Sequence, residues 1–221
     1  MLEAGRSGPG LFITFEGAEG SGKSTQMRLL VERLRSRGIP VVQNQEPGGT
    51  TIGKEIRRLL LDPANHEMAG ETELLLMFAS RAQAAAETIR PALARAAVVV
   101  SDRFTDSSLA YQGEARGLGF ERILELHRLI LGSLMPDLTI CLDLDLELGL
   151  ARAQRRNQAD AKRQSEDRLD RQSLEFHRRV REGYHRIATL EPRRFRLING
   201  DGSVTAVAER VWTEVAPFLP K

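Results

Sequence analysis

The chain has 221 residues, of which 41% are hydrophobic and 28% charged, as expected for a globular protein. Its formal net charge of only +2 excludes a strong overall attraction to nucleic acid. The lack of an apolar run near ~18 residues excludes a transmembrane helix, and the single cysteine, Cys141, excludes an internal disulfide and favours a reducing, cytoplasmic location.

Short apolar segments alternate with helical patterns along the chain. Residues 1–10 lack a secretory signal and are predicted to be a disordered tail. The predicted strands are residues 11–16, 39–44, 97–101, 138–143 and 194–199. The predicted helices are residues 23–37, 51–61, 70–95, 119–133, 146–156, 170–190 and 203–216. Because almost continuously apolar strands are buried on both faces, we expect an α/β fold: a five-stranded parallel sheet between helices, in one domain over residues 11–221.

The first predicted strand leads directly into a glycine-rich loop and then into a helix. The segment Gly17–Ser24 reads GAEGSGKS, a complete phosphate-binding loop in the strand–turn–helix context that this motif requires. Its backbone N–H groups and the helix N-terminus attract an anion, Lys23 adds a charge for the outer phosphates, and Ser24 offers a hydroxyl to Mg²⁺. The alternative is a glycine turn without a ligand. The motif predicts a P-loop NTPase-like fold in which ATP contacts Gly17, Ala18, Glu19, Gly20, Ser21, Gly22, Lys23, Ser24 and Thr25.

Polar residues follow each of the other predicted strands. They are the segment 46–50, Asp102 with Arg103, Asp143 with Asp145, and the segment 199–202. In open parallel sheets the ligands bind beyond the carboxyl ends of the strands. We therefore expect the chemistry at this one edge of the sheet.

The segment from about 152 to 168 differs from the rest of the chain. It is rich in arginine and almost free of apolar residues between Gln154 and Asp167. One interpretation is a solvated helix face. The other is a mobile lid that closes its arginines over a polyphosphate.

Four motifs together resemble the thymidylate kinase family. They are Phe15-Glu16-Gly17 before the loop, Glu46-Pro47-Gly48-Gly49-Thr50, the run from Asp102 to Gly113 (DRFTDSSLAYQG), and Asp167-Arg168-Leu169-Asp170 followed by Phe176-His177 and Gly183-Tyr184. The third motif is much more specific than the phosphate loop. The resemblance implies Mg²⁺-dependent transfer of the γ-phosphoryl group of ATP to dTMP, giving dTDP and ADP, by a nucleoside monophosphate kinase that forms a homodimer.

The resemblance also implies catalytic roles. Lys23, Mg²⁺ on Ser24 and arginines of the lid would surround the donor, and Asp102 would orient Mg²⁺ through water. Arg103 would hold the acceptor phosphate, although Asp102 and Arg103 could instead form a simple ion pair. The lid arginines in question are Arg152, Arg155 and Arg156, with Arg168 as an alternative.

The remaining family positions would bind dTMP. An aromatic ring covers the thymine, an arginine (here Arg81) donates to a base carbonyl, and Glu46 reaches the deoxyribose hydroxyl. The predicted dTMP-binding residues are Glu46, Pro47, Arg57, Met77, Phe78, Arg81, Arg103, Ser108, Tyr111 and Gln112. Ser108 and Gln112 are four residues apart and would share one face of a helix.

The chain departs from the family pattern at two positions near this site. Gln45 replaces the arginine that usually precedes Glu46. The aromatic residue usually lies four positions before the base-binding arginine, where this chain has Met77, whereas Phe78 lies three before it and could be a core residue. A kinase for another nucleotide or nucleoside remains an alternative, as does a P-loop switch or motor ATPase.

Overall fold

The computed structural model describes residues 9–158 and 168–219, with the backbone alone for residues 156–158. Most of the predicted lid therefore lies outside the described residues, as do residues 1–8 of the predicted tail. Gly10 corrects the boundary of that tail. It is buried, and its N–H donates to the carbonyl oxygen of Leu93 at 3.1 Å.

Five parallel strands form one sheet in the order β2-β3-β1-β4-β5. Its strands are Leu11–Glu16 (β1), Val41–Gln45 (β2), Val98–Asp102 (β3), Leu138–Asp143 (β4) and Phe195–Asn199 (β5). All five predicted strands are present, with ends within two residues of those expected. The predicted fold class is confirmed.

Helices cover both faces of the sheet. They are Lys23–Ser36 (α1), Thr51–Leu61 (α2), Gly70–Ala84 (α3), Arg90–Ala94 (α4), Thr105–Ser108 (α5), Phe120–Leu131 (α6), Leu146–Gln158 (α7), Leu174–Leu190 (α8) and Val204–Val215 (α9). Wider π-helical turns span Ala85–Ile89 and Leu109–Ala115, and short 3₁₀ turns span Pro63–Asn65 and Ala216–Phe218. Among the described residues, no helix combines the length and apolar character that crossing a membrane requires.

Hydroxyl side chains begin three of these helices. Thr50, Ser173 and Ser203 accept hydrogen bonds from backbone N–H groups three residues later, at 2.9–3.2 Å. Each satisfies a donor that the first helical turn leaves without an intrahelical partner. These caps explain why α2, α8 and α9 begin where they do.

The core has two halves because successive strand residues point to opposite faces of the sheet. Phe12 packs on one face with side chains of α3, α6 and α8, whereas its neighbours Leu11 and Ile13 pack on the other with α1 and α9. The pairing of Phe15 with Asp102 of β3 and of Glu16 with Cys141 of β4 brings the strand ends together at one edge.

Two helical regions differ from the sequence prediction. The predicted helix 70–95 is interrupted by the π-helical turn at Ala85–Ile89. The helical segment from Thr105 to Ala115 was not predicted as an element. Most of its residues are buried, so no polar face marks it in the sequence.

Candidate active site

The ends of β1, β2 and β3 open onto one cavity of about 720 Å³. The residues that line it are Glu19, Gly20, Ser21, Gly22, Lys23, Ser24, Thr25, Gln45, Glu46, Pro47, Arg57, Leu61, Met77, Arg81, Asp102, Arg103, Ser107, Ser108, Tyr111, Gln112, Arg152, Leu169 and Asp170. The cavity thus joins the phosphate loop to most of the side chains predicted to hold an acceptor.

The phosphate loop connects the end of β1 to the start of α1. Gly22 precedes the helix with φ of 95°, a left-handed conformation that favours glycine. Lys23 is buried, and its Nζ donates to the carbonyl oxygens of Gly17 at 2.8 Å and Ala18 at 3.1 Å. Burial, followed by the charge of Arg103, lowers the pKa of Lys23. The loop therefore presents a helix N-terminus and a lysine to the same cavity.

A close backbone contact ties the phosphate loop to α7. A Cβ atom on Gly20, where φ is 70°, would lie 1.9 Å from the carbonyl oxygen of Gly149. A Cβ atom on Gly149 would lie 2.7 Å from the carbonyl oxygen of Glu19. Only glycine at both positions allows the start of α7 to rest directly on the loop.

Arg103 lies at the centre of the cavity edge, immediately after β3. Its φ of 70° is unusual for a residue with a side chain. Its Nη1 donates to Ser107 Oγ at 3.0 Å and Tyr184 OH at 3.1 Å, and its Nη2 donates to Glu19 Oε1 at 2.5 Å and Tyr111 OH at 3.1 Å. These contacts fix a guanidinium group next to the phosphate loop.

Glu16 binds two of the hydroxyl groups that also hold Arg103, those of Ser107 and Tyr184. Its carboxylate accepts from Ser107 Oγ at 2.5 Å, from Tyr184 OH at 2.9 Å and from the backbone N–H of Phe104 at 2.8 Å. Each hydroxyl donates its proton to Glu16 and so accepts from Arg103. Burial, opposed by the charge of Arg103, raises the pKa of Glu16 to about 7. In its ionised form, Glu16 orients the two hydroxyl groups that accept from Arg103.

Arg81 and Glu46 form a buried ion pair on another wall of the cavity. Arg81 Nε donates to Glu46 Oε2 at 2.6 Å, and its two terminal nitrogens donate to Ser108 Oγ at 3.1 Å and to the carbonyl oxygen of Phe104 at 2.9 Å. Burial, opposed by the charge of Arg81, raises the pKa of Glu46 to about 7. A guanidinium group has five N–H donors, so Arg81 keeps donors for a ligand.

Phe78 and Met77 occupy different surroundings. Phe78 is 2% exposed, lies in the core cluster and packs its ring 4.8 Å from the guanidinium carbon of Arg81. It does not line the cavity, whereas Met77 does. Of the two residues predicted to cover a base, Met77 is therefore the one in position, and Phe78 supports Arg81 from the core.

Two oxygen donors suit a divalent cation. Ser24 is exposed and lines the cavity, and Asp102 lines it from the end of β3. Asp102 Oδ1 is buried without a hydrogen-bond partner among the described residues. Within the same residues, no three His, Cys, Asp or Glu side chains form a metal-binding group. A hydroxyl and a carboxylate match Mg²⁺, which takes few protein ligands and completes its shell with phosphate and water.

The predicted lid arginines are placed differently from one another. Arg152 on α7 is exposed and lines the cavity, whereas Arg155 is exposed and does not. The side chain of Arg156 lies outside the described residues. Arg168 is 2% exposed and pairs with Glu73 at 2.6 Å. That buried ion pair removes Arg168 from the candidates for an arginine that approaches a phosphate.

The other predicted acceptor-site residues also line the cavity. Arg57 Nη1 donates to the carbonyl oxygen of Pro47 at 3.0 Å, and Gln45 is exposed where the family usually has arginine. Tyr111 and Gln112 lie on the helical segment that follows Arg103. Outside this cavity wall, the loop after β5 lies close to the phosphate loop, since a Cβ atom on Gly200 would be 3.4 Å from the carbonyl oxygen of Ser21.

Three buried polar residues at the site were not assigned roles from the sequence. They are Glu16, Ser107 and Tyr184, which together hold Arg103. Glu16 and Tyr184 belong to motifs that were recognised, and Ser107 lies inside the most specific one. The sequence motifs therefore include these three residues. Their contacts connect β1, α5 and α8, and only the folded structure identifies them.

Comparisons with known proteins point to one family. The sequence profile of the thymidylate kinase family matches residues 15–211. A thymidylate kinase of Synechococcus sp. is 50% identical over 212 residues, covering 95% of this chain and 96% of the relative. One of Pelobacter propionicus is 48% identical, covering 93% and 94%. The crystal structure of a thymidylate kinase from Ehrlichia chaffeensis is similar with a TM-score of 0.75 at 32% identity, covering 94% of this chain and 98% of that one. The region matched by the profile contains every residue that lines the cavity.

Proposed function

The chain belongs to the thymidylate kinase family, and we propose that its two nucleotides meet end to end in the cavity of about 720 Å³. It is a nucleoside monophosphate kinase, which transfers a phosphoryl group from ATP to dTMP. The observation that carries the placement of the substrates is the continuity of that cavity, which joins the phosphate loop to Arg103 and Arg81. All five strands belong to one sheet, which supports a single kinase domain over residues 11–221.

On the donor side, residues 17–25 hold the phosphates of ATP. Lys23 moves from the carbonyl oxygens of its own loop to the outer phosphates when ATP binds, exchanging two dipoles for a negative charge. Ser24 and, through water, Asp102 hold Mg²⁺, which neutralises phosphate charge when bound. The loop after β5, near Ser21, is in position to contact the adenosine.

On the acceptor side, Arg103 and Arg57 bind the phosphate of dTMP. Arg81, Ser108 and Gln112 read the edge of thymine, Met77 covers its face, and Glu46 accepts from the deoxyribose hydroxyl. Pro47 and Tyr111 complete this wall. The arrangement suits a pyrimidine nucleotide because its polar groups converge at one end and a thioether lies beside them.

The proposed chemistry needs no general base. The acceptor phosphate is already an anion, so the protein has to align two repelling anions and neutralise the charge that spreads over the transferred group. Lys23, Arg103 and lid arginines provide positive charge around that group. A cytoplasmic location fits the buried free thiol of Cys141.

A panel of acceptors tests the proposal. Purified protein with Mg·ATP is expected to phosphorylate dTMP with a higher kcat/KM than UMP, CMP or dCMP. Faster phosphorylation of any of these would contradict the assignment of the pyrimidine site. Steady ATP hydrolysis without an acceptor would instead support a P-loop switch ATPase.

Replacing Arg81 with alanine is expected to reduce discrimination between acceptors. Arg81 donates to a carbonyl oxygen of thymine, where cytosine has an amino group, so the ratio of kcat/KM for dTMP over dCMP should fall about 10–100-fold. Steady-state kinetics with both acceptors measures this ratio. Arg58→Ala, on the exposed side of α2, is the matched control and should leave it unchanged. An equal loss for both acceptors would argue against base reading by Arg81.

Replacing Glu16 with glutamine is expected to change the pH profile for the acceptor. In the wild type, protonation of Glu16 as the pH falls through about 7 turns a hydroxyl proton towards Arg103, so kcat/KM for dTMP should fall. The variant should lose this titration and keep those of the substrate phosphate, near a pKa of about 6, and of Glu46, near a pKa of about 7. Kinetics across pH ~5.5–9 compares the two profiles. Identical profiles for Glu16→Gln and the wild type would exclude this role.

We also propose that the chain forms a homodimer through α3 and α6. These neighbouring helices expose large apolar side chains: Leu75 is 59%, Leu129 80% and Ile130 44% exposed. Replacing Leu129 with glutamate should place a charge in the interface and halve the mass measured by light scattering, because a buried unpaired charge opposes association. Leu190→Glu, on α8, is the control and should leave the mass unchanged. A wild-type monomer would contradict the proposal.

A further inference from the structure

Glu73 on α3 has no role in the site described so far, yet its carboxylate is fully buried beside it. Its Oε1 accepts from Gln112 Nε2 at 2.8 Å and from Arg116 Nε at 3.4 Å. Its Oε2 accepts from Arg116 Nη2 at 3.1 Å and from Arg168 Nη2 at 2.6 Å. One carboxylate thus connects a cavity residue to two arginines.

The two arginines keep Glu73 ionised. Burial raises the pKa of Glu73, but the charge and hydrogen bonds of Arg116, with those of Gln112 and Arg168, outweigh it and hold the pKa below its ordinary value. An ionised carboxylate can only accept hydrogen bonds. The amide nitrogen of Gln112 must therefore face Glu73, and its carbonyl oxygen must point away from it.

That carbonyl oxygen has no partner in the described part of the chain. Gln112 is 1% exposed and lines the cavity, and its Oε1 is buried without a hydrogen bond. A buried acceptor without a partner is costly, because it has lost its hydrogen bonds to water. An N–H group of a ligand in the cavity would satisfy it.

We infer that Glu73 is a positioning residue that sets base specificity by holding Gln112 with its carbonyl oxygen towards the substrate. The inference rests on the proposed placement of the base at Gln112. Thymine and uracil carry a ring N–H at N3, and this oxygen accepts a hydrogen bond from it. Cytosine has an unprotonated ring nitrogen at N3, and two acceptors then face each other. Glu73 therefore disfavours the binding of cytosine nucleotides through Gln112, without contacting the nucleotide itself.

Arg168 connects Glu73 to the part of the chain that follows α7. Its Nε donates to the carbonyl oxygen of Leu60, and its backbone N–H donates to that of Leu61 at 3.2 Å. Arg168 is thereby fixed between α2 and Glu73. The same residue that neutralises Glu73 holds the start of the segment 168–170, whose members Leu169 and Asp170 line the cavity.

The test compares three acceptors in the full-length enzyme. Replacing Glu73 with glutamine allows the amide of Gln112 to turn, so the ratio of kcat/KM for dTMP over dCMP should fall about tenfold or more. The ratio for dTMP over dUMP should stay unchanged, because both bases have the N3–H. A merely structural role would lower all three rates together and leave both ratios unchanged, and that result would overturn the inference.

Further variants separate the possible failures. Arg58→Ala, at an exposed residue of α2, is the control and should leave both ratios unchanged; a fall as large as that of Glu73→Gln would overturn the inference. Gln112→Met should lower the dTMP over dCMP ratio, and Glu73→Gln should then have no further effect on it. If Gln112→Met leaves the ratio unchanged, the proposed base site itself is wrong. If only Glu73→Gln leaves it unchanged, the inference fails and the base site stands.

Thermal melting shows whether the Glu73→Gln variant folds. If it does not, Glu73→Asp provides the same test, because it keeps the negative charge between the arginines and withdraws it from Gln112. The dTMP over dCMP ratio should again fall. An unchanged ratio in a folded Glu73→Asp variant would overturn the inference.

Discussion

Replacing Lys23 with alanine should lower kcat by about 10²–10³-fold or more, because the lysine acts on charge that develops in the transition state. Its Nζ is already within the phosphate loop, bound to the carbonyl oxygens of Gly17 and Ala18. Burial keeps water from competing for the ammonium group, so its interaction with a phosphate is strong. We expect both kcat and kcat/KM to fall by similar factors.

Steady-state and single-turnover kinetics with saturating ATP and dTMP measure this loss. Lys54→Ala is the matched control, since Lys54 is exposed on α2 and does not line the cavity. A melting curve for each variant separates loss of chemistry from loss of fold. If Lys23→Ala raised the KM for ATP and left kcat unchanged, Lys23 would bind ATP equally in the ground state and the transition state and would not assist the chemical step.

The sheet and its order of elements were predictable because each strand carries its own signal. β1 (Leu11–Glu16) and β4 (Leu138–Asp143) have the same limits as the apolar runs that predicted them. Because both faces are buried, each run contains only one internal polar residue, Thr14 or Thr139, and their hydroxyl groups bind each other at 2.9 Å. The phosphate loop and the polar residues after β2 and β3 then followed from the rule that ligands bind beyond strand ends.

The helical segment Thr105–Ala115 was not predictable by the same means. Buried polar residues such as Asp106 and Ser107 interrupt any apolar stripe, and their burial depends on partners elsewhere in the chain. Asp106, for example, pairs with Arg194 at 2.7 Å, and Ser107 binds Glu16. Sequence periodicity indicates which face of a helix is apolar, and it does not identify a helix whose buried side chains are polar groups bound to partners elsewhere in the chain.

The sequence could not decide between Met77 and Phe78 for a similar reason. The sequence placed both on one helix one position apart, about 100° around its axis, and left open which of them faces a ligand. The choice depends on the direction of the core, here set by contacts of Phe78 with its cluster. Family spacing favoured position 77, and chemical type favoured the aromatic ring. The cavity includes the position that spacing favours.

Among the α7 arginines whose side chains are described, Arg152 lines the cavity beside the phosphate loop. It follows Gly149 by one helical turn, and Gly149 rests on the backbone of Gly20 in the phosphate loop. The helix is thus fixed against the phosphate loop at one end, and its first exposed arginine lines the cavity. Arg155, three residues further on, does not.

Replacing Arg152 with alanine is therefore expected to lower kcat by about 10³-fold, as for arginines that stabilise phosphoryl-transfer transition states in other enzymes. Arg155→Ala is the matched control on the same helix and should change kcat much less. Arg152→Lys should restore only part of the loss, because an ammonium group lacks the planar fork that binds two phosphate oxygens. Single-turnover kinetics at saturating ATP and dTMP measures the chemical step, and Arg156→Ala belongs in the same series. If all three arginines can be removed singly without loss, catalysis by this helix is excluded, and the charge on the transferred group must be neutralised by Lys23, Arg103 and bound metal.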